Sequence, residues 1–171
     1  MNSKLRACTL LAAAPLILAA LAACAPTVAL QPAADATDPG CAEIIVRLPS
    51  SVVDQPIRET DAQATAAWGN PASVLLRCGV RQPPPSSTCY TVKGIDWIID
   101  ASDKPRYVYT TYGRKPATQV VVDSTLTKGQ EAIVLDALAN AVGSIDQTKQ
   151  CTSHDAGYGP ETPAPAPSPT N

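Results

Sequence analysis

A two-layer α+β fold, with an antiparallel β-meander packed by a C-terminal amphipathic helix and held by two disulfides, is predicted by three features of this 171-residue chain. Between Cys41 and Val122, short runs rich in Val, Ile, Thr and Tyr alternate with Gly, Pro and Asn turn signals, which is the pattern of strands. After Leu126 the apolar period lengthens, and Val134, Leu138, Ala141, Val142 and Ile145 recur at helical spacing. Four cysteines, Cys41, Cys78, Cys89 and Cys151, fall inside the same region. A single amphipathic helix must bury its stripe on another element, and the apolar face of the meander is the surface available.

The chain ends bound the domain. Residues 1–23 carry Lys4 and Arg6, then an apolar run from Leu10 to Leu21, the layout of a signal peptide with a core too short to span a bilayer comfortably. Leu21-Ala22-Ala23-Cys24 resembles the lipobox of bacterial lipoproteins, so Cys24 is expected to carry the lipid and to open the mature chain. Residues 24–40 hold Ala, Pro, Thr, Asp and Gln without apolar periodicity and read as a flexible tether. Residues 152–171 place Pro163, Pro165, Pro167 and Pro169 at alternate positions, a disordered tail of polyproline character. One domain over residues 41–151 remains.

Within it, Ala42 to Leu48 is rich in Ile and Val and predicts a first strand. Thr60 and Gln63 form a capping-box pattern that predicts a short helix from Asp61 to Trp68, closed by Gly69. Ser73 to Cys78 has three consecutive apolar residues, Val74, Leu75 and Leu76, as expected of a central strand covered on both faces. Cys89 to Lys93 and Ile95 to Ile99 read as strands around Gly94. Arg106 to Tyr112 places Tyr107 and Tyr109 on one face and forms a hairpin with the Trp97 strand across the Asp100 to Pro105 turn. Thr118 to Val122 is a further strand. A second capping-box pattern, Thr127 with Gln130, opens the helix that Gly143 stops.

An exported chain with an even number of remaining cysteines implies disulfides. Cys78 with Cys89, bracketing Pro83-Pro84-Pro85, and Cys41 with Cys151, joining the first and last segments, is the expected pairing. A metal site is disfavoured, because no short Cys-x-x-Cys spacing is present.

Little catalytic chemistry is visible. His154, the one histidine, lies beside the tail, where it cannot be held as a general base. Asp96, Asp100 and Asp103 lie close in sequence but read as a solvated turn, without the ligand pattern of a calcium loop. No phosphate loop or cofactor motif appears. Net charge is −2 for the whole chain, and loss of Lys4 and Arg6 with the leader makes the mature form more acidic, which disfavours a nucleic-acid partner. Trp97, Tyr109, Tyr112 and Arg114 cluster in the central stretch and form the candidate binding surface, provided that Trp97 is not fully buried as a core anchor in a chain without phenylalanine.

Thr65-Ala66-Ala67-Trp68-Gly69-Asn70-Pro71, Leu76-Arg77-Cys78-Gly79-Val80, Gly94-Ile95-Asp96-Trp97 and Thr110-Thr111-Tyr112-Gly113-Arg114 resemble the signature blocks of an actinobacterial family of exported proteins, the domain of unknown function three-five-one-five. The resemblance covers roughly Cys41 to Cys151 and implies a membrane-anchored or secreted envelope protein. The expectation is a lipid-anchored extracytoplasmic module, on the cell membrane through Cys24, that binds an envelope protein or a cell-wall polymer without catalysis. The alternative is a carboxylate-dependent hydrolase or transferase acting on envelope polymers.

Overall fold

The computed structural model describes residues 26–151. The leader, Cys24, His154 and the Pro-rich tail lie outside the described residues. Eight strands form one sheet in the order β1-β2-β3-β4-β8-β7-β6-β5. They are β1 (Ser51–Val52), β2 (Gln55–Arg58), β3 (Thr65–Trp68), β4 (Val74–Val80), β5 (Cys89–Val92), β6 (Ile95–Asp100), β7 (Arg106–Thr111) and β8 (Ala117–Asp123), flanked by helices α1 (Pro39–Ile45) and α2 (Glu131–Val142). All pairings are antiparallel, and two meanders, β1 to β4 and β5 to β8, meet where β4 pairs with β8.

Alternation along the strands separates two faces. Trp68, Val74, Leu76, Trp97, Val120 and Val122 are buried on one face, against Val134, Leu135, Leu138 and Val142 of α2. That is the expected two-layer arrangement. On the other face Leu75, Arg77, Val108, Gln119 and Val121 are only partly buried. β4 lies between β3 and β8, as its apolar run predicts.

Two local expectations are corrected. The segment Ala42 to Leu48 is not a strand: α1 starts at Pro39 and ends at Ile45, with the Asp38 side chain accepting from the Gly40 N–H at 2.8 Å. Asp before Pro at the first helical position is a start signal that outweighs the β-branched composition, and it sets Cys41 and Ile44 toward the core. The segment Asp61 to Trp68 is not a helix either. Thr65–Trp68 is strand β3, buried at every residue and paired with both β2 and β4. Tertiary pairing on both edges overrides the helix propensity of its two alanines. The hydroxyls of Thr60 and Thr65 bond each other at 2.8 Å instead of capping a helix. Helix α2 forms where expected and Gly143 ends it, but its N-cap is Gln130 without a side-chain bond, and the Thr127 hydroxyl donates to the Asp123 carbonyl.

The disulfides are Cys41–Cys78 and Cys89–Cys151, not the expected pairs. Four strand spacings separate β4 from β5 in the sheet, about 19 Å, whereas a disulfide needs Cα atoms within about 7 Å. Cys78 packs beside α1 and α2 with Cys41, Ile44, Ala141 and Ile145, while Cys89 packs with Ile98, Tyr112 and Cys151. Pro83, Pro84 and Pro85 belong to the link between β4 and β5, which have β8, β7 and β6 between them, and not to a tight turn.

The segment expected to be a tether is part of the domain from Pro26 onward. Val28 forms a parallel bridge with Thr60, donating to the Glu59 carbonyl at 2.9 Å and accepting from Asp61 N–H at 3.3 Å. The Asp61 carboxylate accepts from Leu30 N–H at 2.8 Å, and Asp35 N–H donates to the Gly79 carbonyl at 3.0 Å. Gly79 has φ +88°, and a Cβ there would stand 2.4 Å from the Asp35 oxygen. This strap is held by backbone bonds, which require no apolar periodicity and leave no trace in composition.

Candidate functional site

The four residues of the expected binding surface are all buried. Trp97, Tyr109, Tyr112 and Arg114 are 0%, 5%, 9% and 6% exposed, so they do not form an outward face. Trp97 and Tyr109 sit on the helix-facing side of the sheet, and Tyr112 lies with Ile98 and the Cys89–Cys151 disulfide. In a chain without phenylalanine, these aromatics serve as large anchors in a core otherwise built mainly from Val, Leu and Ile.

Arg114 turns inward. It donates to the Ile145 carbonyl, to the Gly94 carbonyl at 3.3 Å and to Gln147 Oε1 at 3.2 Å. Burial pushes its pKa down, and the negative charges of Asp96 and Asp146 oppose that shift. Asp96, also buried, accepts from Thr91 Oγ1 at 2.6 Å, Gln147 Nε2 at 2.8 Å and the Cys151 N–H at 2.9 Å. Side-chain atoms of Asp96, Cys89 and Cys151 fall within 4.8 Å of one another. A metal would need thiolates, however, and both sulfurs are bonded to each other. The cluster is a polar lock between the sheet and the C-terminal segment.

The three aspartates do not converge. Asp100 is exposed, its pKa lowered by hydrogen bonds from Ser102. Asp103 pairs with Arg106 at 2.6 Å on the surface.

The concave feature of the described residues with an aromatic wall lies where the start of α2 meets β5, β6 and β7. It is a cleft of about 650 Å³ lined by Tyr90, Ile99, Tyr107, Tyr109 and Glu131, with Ser87 and Thr88 at its rim. Strand register builds the wall. Tyr90 stands opposite the core residue Trp97, and Ile99 stands opposite Tyr109, so that Tyr90, Ile99, Tyr107 and Tyr109 share one sheet face. Tyr90 and Tyr107 are partly exposed. Tyr109 is more deeply set, and burial, then the Glu131 charge, then Tyr90 and Tyr107, raise its pKa well above the ordinary tyrosine value. Its hydroxyl therefore stays protonated at neutral pH. The Lys104 ammonium stands 5.9 Å from the centre of the Tyr107 ring.

Tyr109 is thus the one predicted surface residue that lines the cleft. Alternation in the Arg106 to Tyr112 run places Tyr107 beside it. Tyr90 and Glu131 carry no comparable signal, because they arrive through the β5–β6 pairing and the helix docking.

A family model described as "Protein of unknown function (DUF3515)" matches residues 5–151. The chain belongs to this family. No curated protein and no solved structure matches this DUF3515 chain. Among the described residues, no helix is long and apolar enough to cross a membrane.

Proposed function

We propose that this DUF3515 protein is an exported, lipid-anchored binding module of the cell envelope that holds sugar rings of an envelope polymer in the tyrosine-lined cleft. The leader and the Leu-Ala-Ala-Cys motif at Cys24 support export and anchoring. Two disulfides fit an oxidising compartment.

The observation that carries the reading is the conjunction of Tyr90, Tyr107, Tyr109 and Glu131 in one cleft. A pyranose ring has apolar C–H faces and an equatorial belt of hydroxyls. Aromatic rings cover the former, while phenol hydroxyls, a carboxylate and the Ser87 and Thr88 hydroxyls bond the latter. A pocket with apolar walls and a few convergent polar groups is the common form of a small-molecule site. Polymer hydrolysis through paired carboxylates needs two of them flanking the scissile bond. The described lining offers Glu131 alone, which favours binding over that chemistry.

The test is calorimetric titration of the mature chain, made soluble by Cys24→Ser, with defined oligosaccharides released from the cell wall. Saturable binding that weakens at least about tenfold in Tyr107→Ala, roughly 1.4 kcal/mol, supports the reading. Absence of binding, or equal binding by the variant, rejects it.

A further inference from the structure

We infer that the β1–β2 end of the sheet rests directly on the bilayer, so that the anchor holds the domain flush with the lipid surface and presents the tyrosine cleft away from it. This seating depends on the lipid attachment at Cys24 proposed above. The reasoning starts from chain length. A free tether over residues 24–40 would reach on the order of 55 Å. The strap removes that slack: Arg58 donates to the Pro26 carbonyl and, at 2.7 Å, to the Gly69 carbonyl, while Val28 and Leu30 are bonded to Glu59 and Asp61. Cys24 precedes Pro26 by two residues, so covalent geometry alone keeps a lipidated Cys24 within about 7 Å of it.

The surface at that end suits lipid. One of the four exposed large apolar side chains among the described residues lies there. Ile57, 42% exposed, immediately precedes Arg58, the residue that holds Pro26. The charges nearby do not add up to a basic patch. Arg47 is paired with Glu43, and Arg58 is flanked by Glu59 and Asp61. The contact is therefore apolar, and acidic headgroups are not needed to hold it.

Sheet order then fixes where the cleft goes. β2 and β5 are separated by six strand spacings, about 29 Å. With β2 at the lipid, the cleft wall formed by β5, β6 and β7 stands toward the far end of the domain, where an envelope polymer is accessible and a membrane lipid is not.

The experiment uses the mature lipidated chain, isotope-labelled, in phosphatidylcholine nanodiscs containing a small share of headgroup spin-labelled lipid. Mass spectrometry of the same sample reads the acyl mass on Cys24. The expected result is a relaxation enhancement at the Ile57 and Arg58 amides several-fold larger than at Tyr90 and Glu131. It should be unchanged when phosphatidylglycerol is added, and reduced in Ile57→Asp. Equal enhancement at both ends with the acyl mass present would overturn the seating while leaving the anchor intact. An acyl-free Cys24 would overturn both, whereas loss of sugar binding would leave the seating untouched.

Discussion

The Asp96 carboxylate in β6 accepts a hydrogen bond from the Cys151 N–H at 2.9 Å, joining positions 55 residues apart. The same side chain accepts from Gln147 and Thr91, and Arg114 gathers the Ile145 and Gly94 carbonyls beside it. The segment after α2 is thereby fastened to the β5–β6 hairpin around two buried side chains, Asp96 and Arg114, of which Arg114 keeps its Nε without a hydrogen-bond partner. Buried polar groups of this kind are costly to disturb, because each lost partner leaves a desolvated donor or acceptor.

Asp96→Asn removes the charge and replaces one accepting oxygen by a donating amide that faces donors. It is expected to cost roughly 2–4 kcal/mol in urea unfolding, with faster hydrogen exchange at the Cys151 amide. An unchanged unfolding midpoint would show that the lock contributes nothing.

Disulfide mapping without reduction is expected to yield peptides joining Cys41 to Cys78 and Cys89 to Cys151. Removing either bridge as a double Ser variant should destabilise by about 4 kcal/mol in the chain-entropy account. A peptide linking Cys78 to Cys89 would contradict the sheet order itself, since those residues lie on strands separated by β8, β7 and β6.

Tyr109 makes stability depend on alkaline pH. Its neutral form is favoured in the folded protein, where its pKa lies above the ordinary value of about 10. Below about pH 10 both states keep the proton and its contribution is full. Above that the unfolded chain ionises first, so stability falls as pH rises toward the folded pKa. The urea midpoint should drop above pH 10, and Tyr109→Phe should flatten part of that drop. An identical drop in the variant would remove Tyr109 as its cause.

Gly79→Ala places a Cβ 2.4 Å from the Asp35 oxygen at a backbone conformation with positive φ. The strap must move or the strand must distort, at an expected cost of about 2–3 kcal/mol. Limited proteolysis should then cut between residues 26 and 38 at a rate several-fold above the native chain. Equal rates would mean that the strap is not held at Gly79.

The strands from Cys89 to Val122 and helix α2 are legible in the sequence because alternation and helical spacing are written into side chains that face one core. Segments decided by backbone partners are not. β3 is alanine-rich and becomes a strand only because β2 and β4 close on it. The strap follows Thr60, Asp61 and Gly79 through main-chain and carboxylate bonds that no periodicity announces. Cysteine pairing fails for a related reason: Cys78 and Cys89 are near in sequence, but the β4–β8 junction moves them apart. At the candidate site, Tyr107 and Tyr109 are legible as a pair on one strand face. Trp97, Tyr112 and Arg114 have the composition of a binding surface and the position of a core, and composition alone does not separate the two.

The most direct measurement is nuclear magnetic resonance mapping of the Cys24→Ser chain with a saturating wall oligosaccharide, following the tyrosine ring protons. Intermolecular contacts between sugar C–H protons and the rings of Tyr90 and Tyr107, lost in Tyr107→Ala, are the predicted result. Contacts confined to the opposite sheet face around Val108 and Val121, or no contacts at all, would contradict the assignment of the cleft as a sugar site.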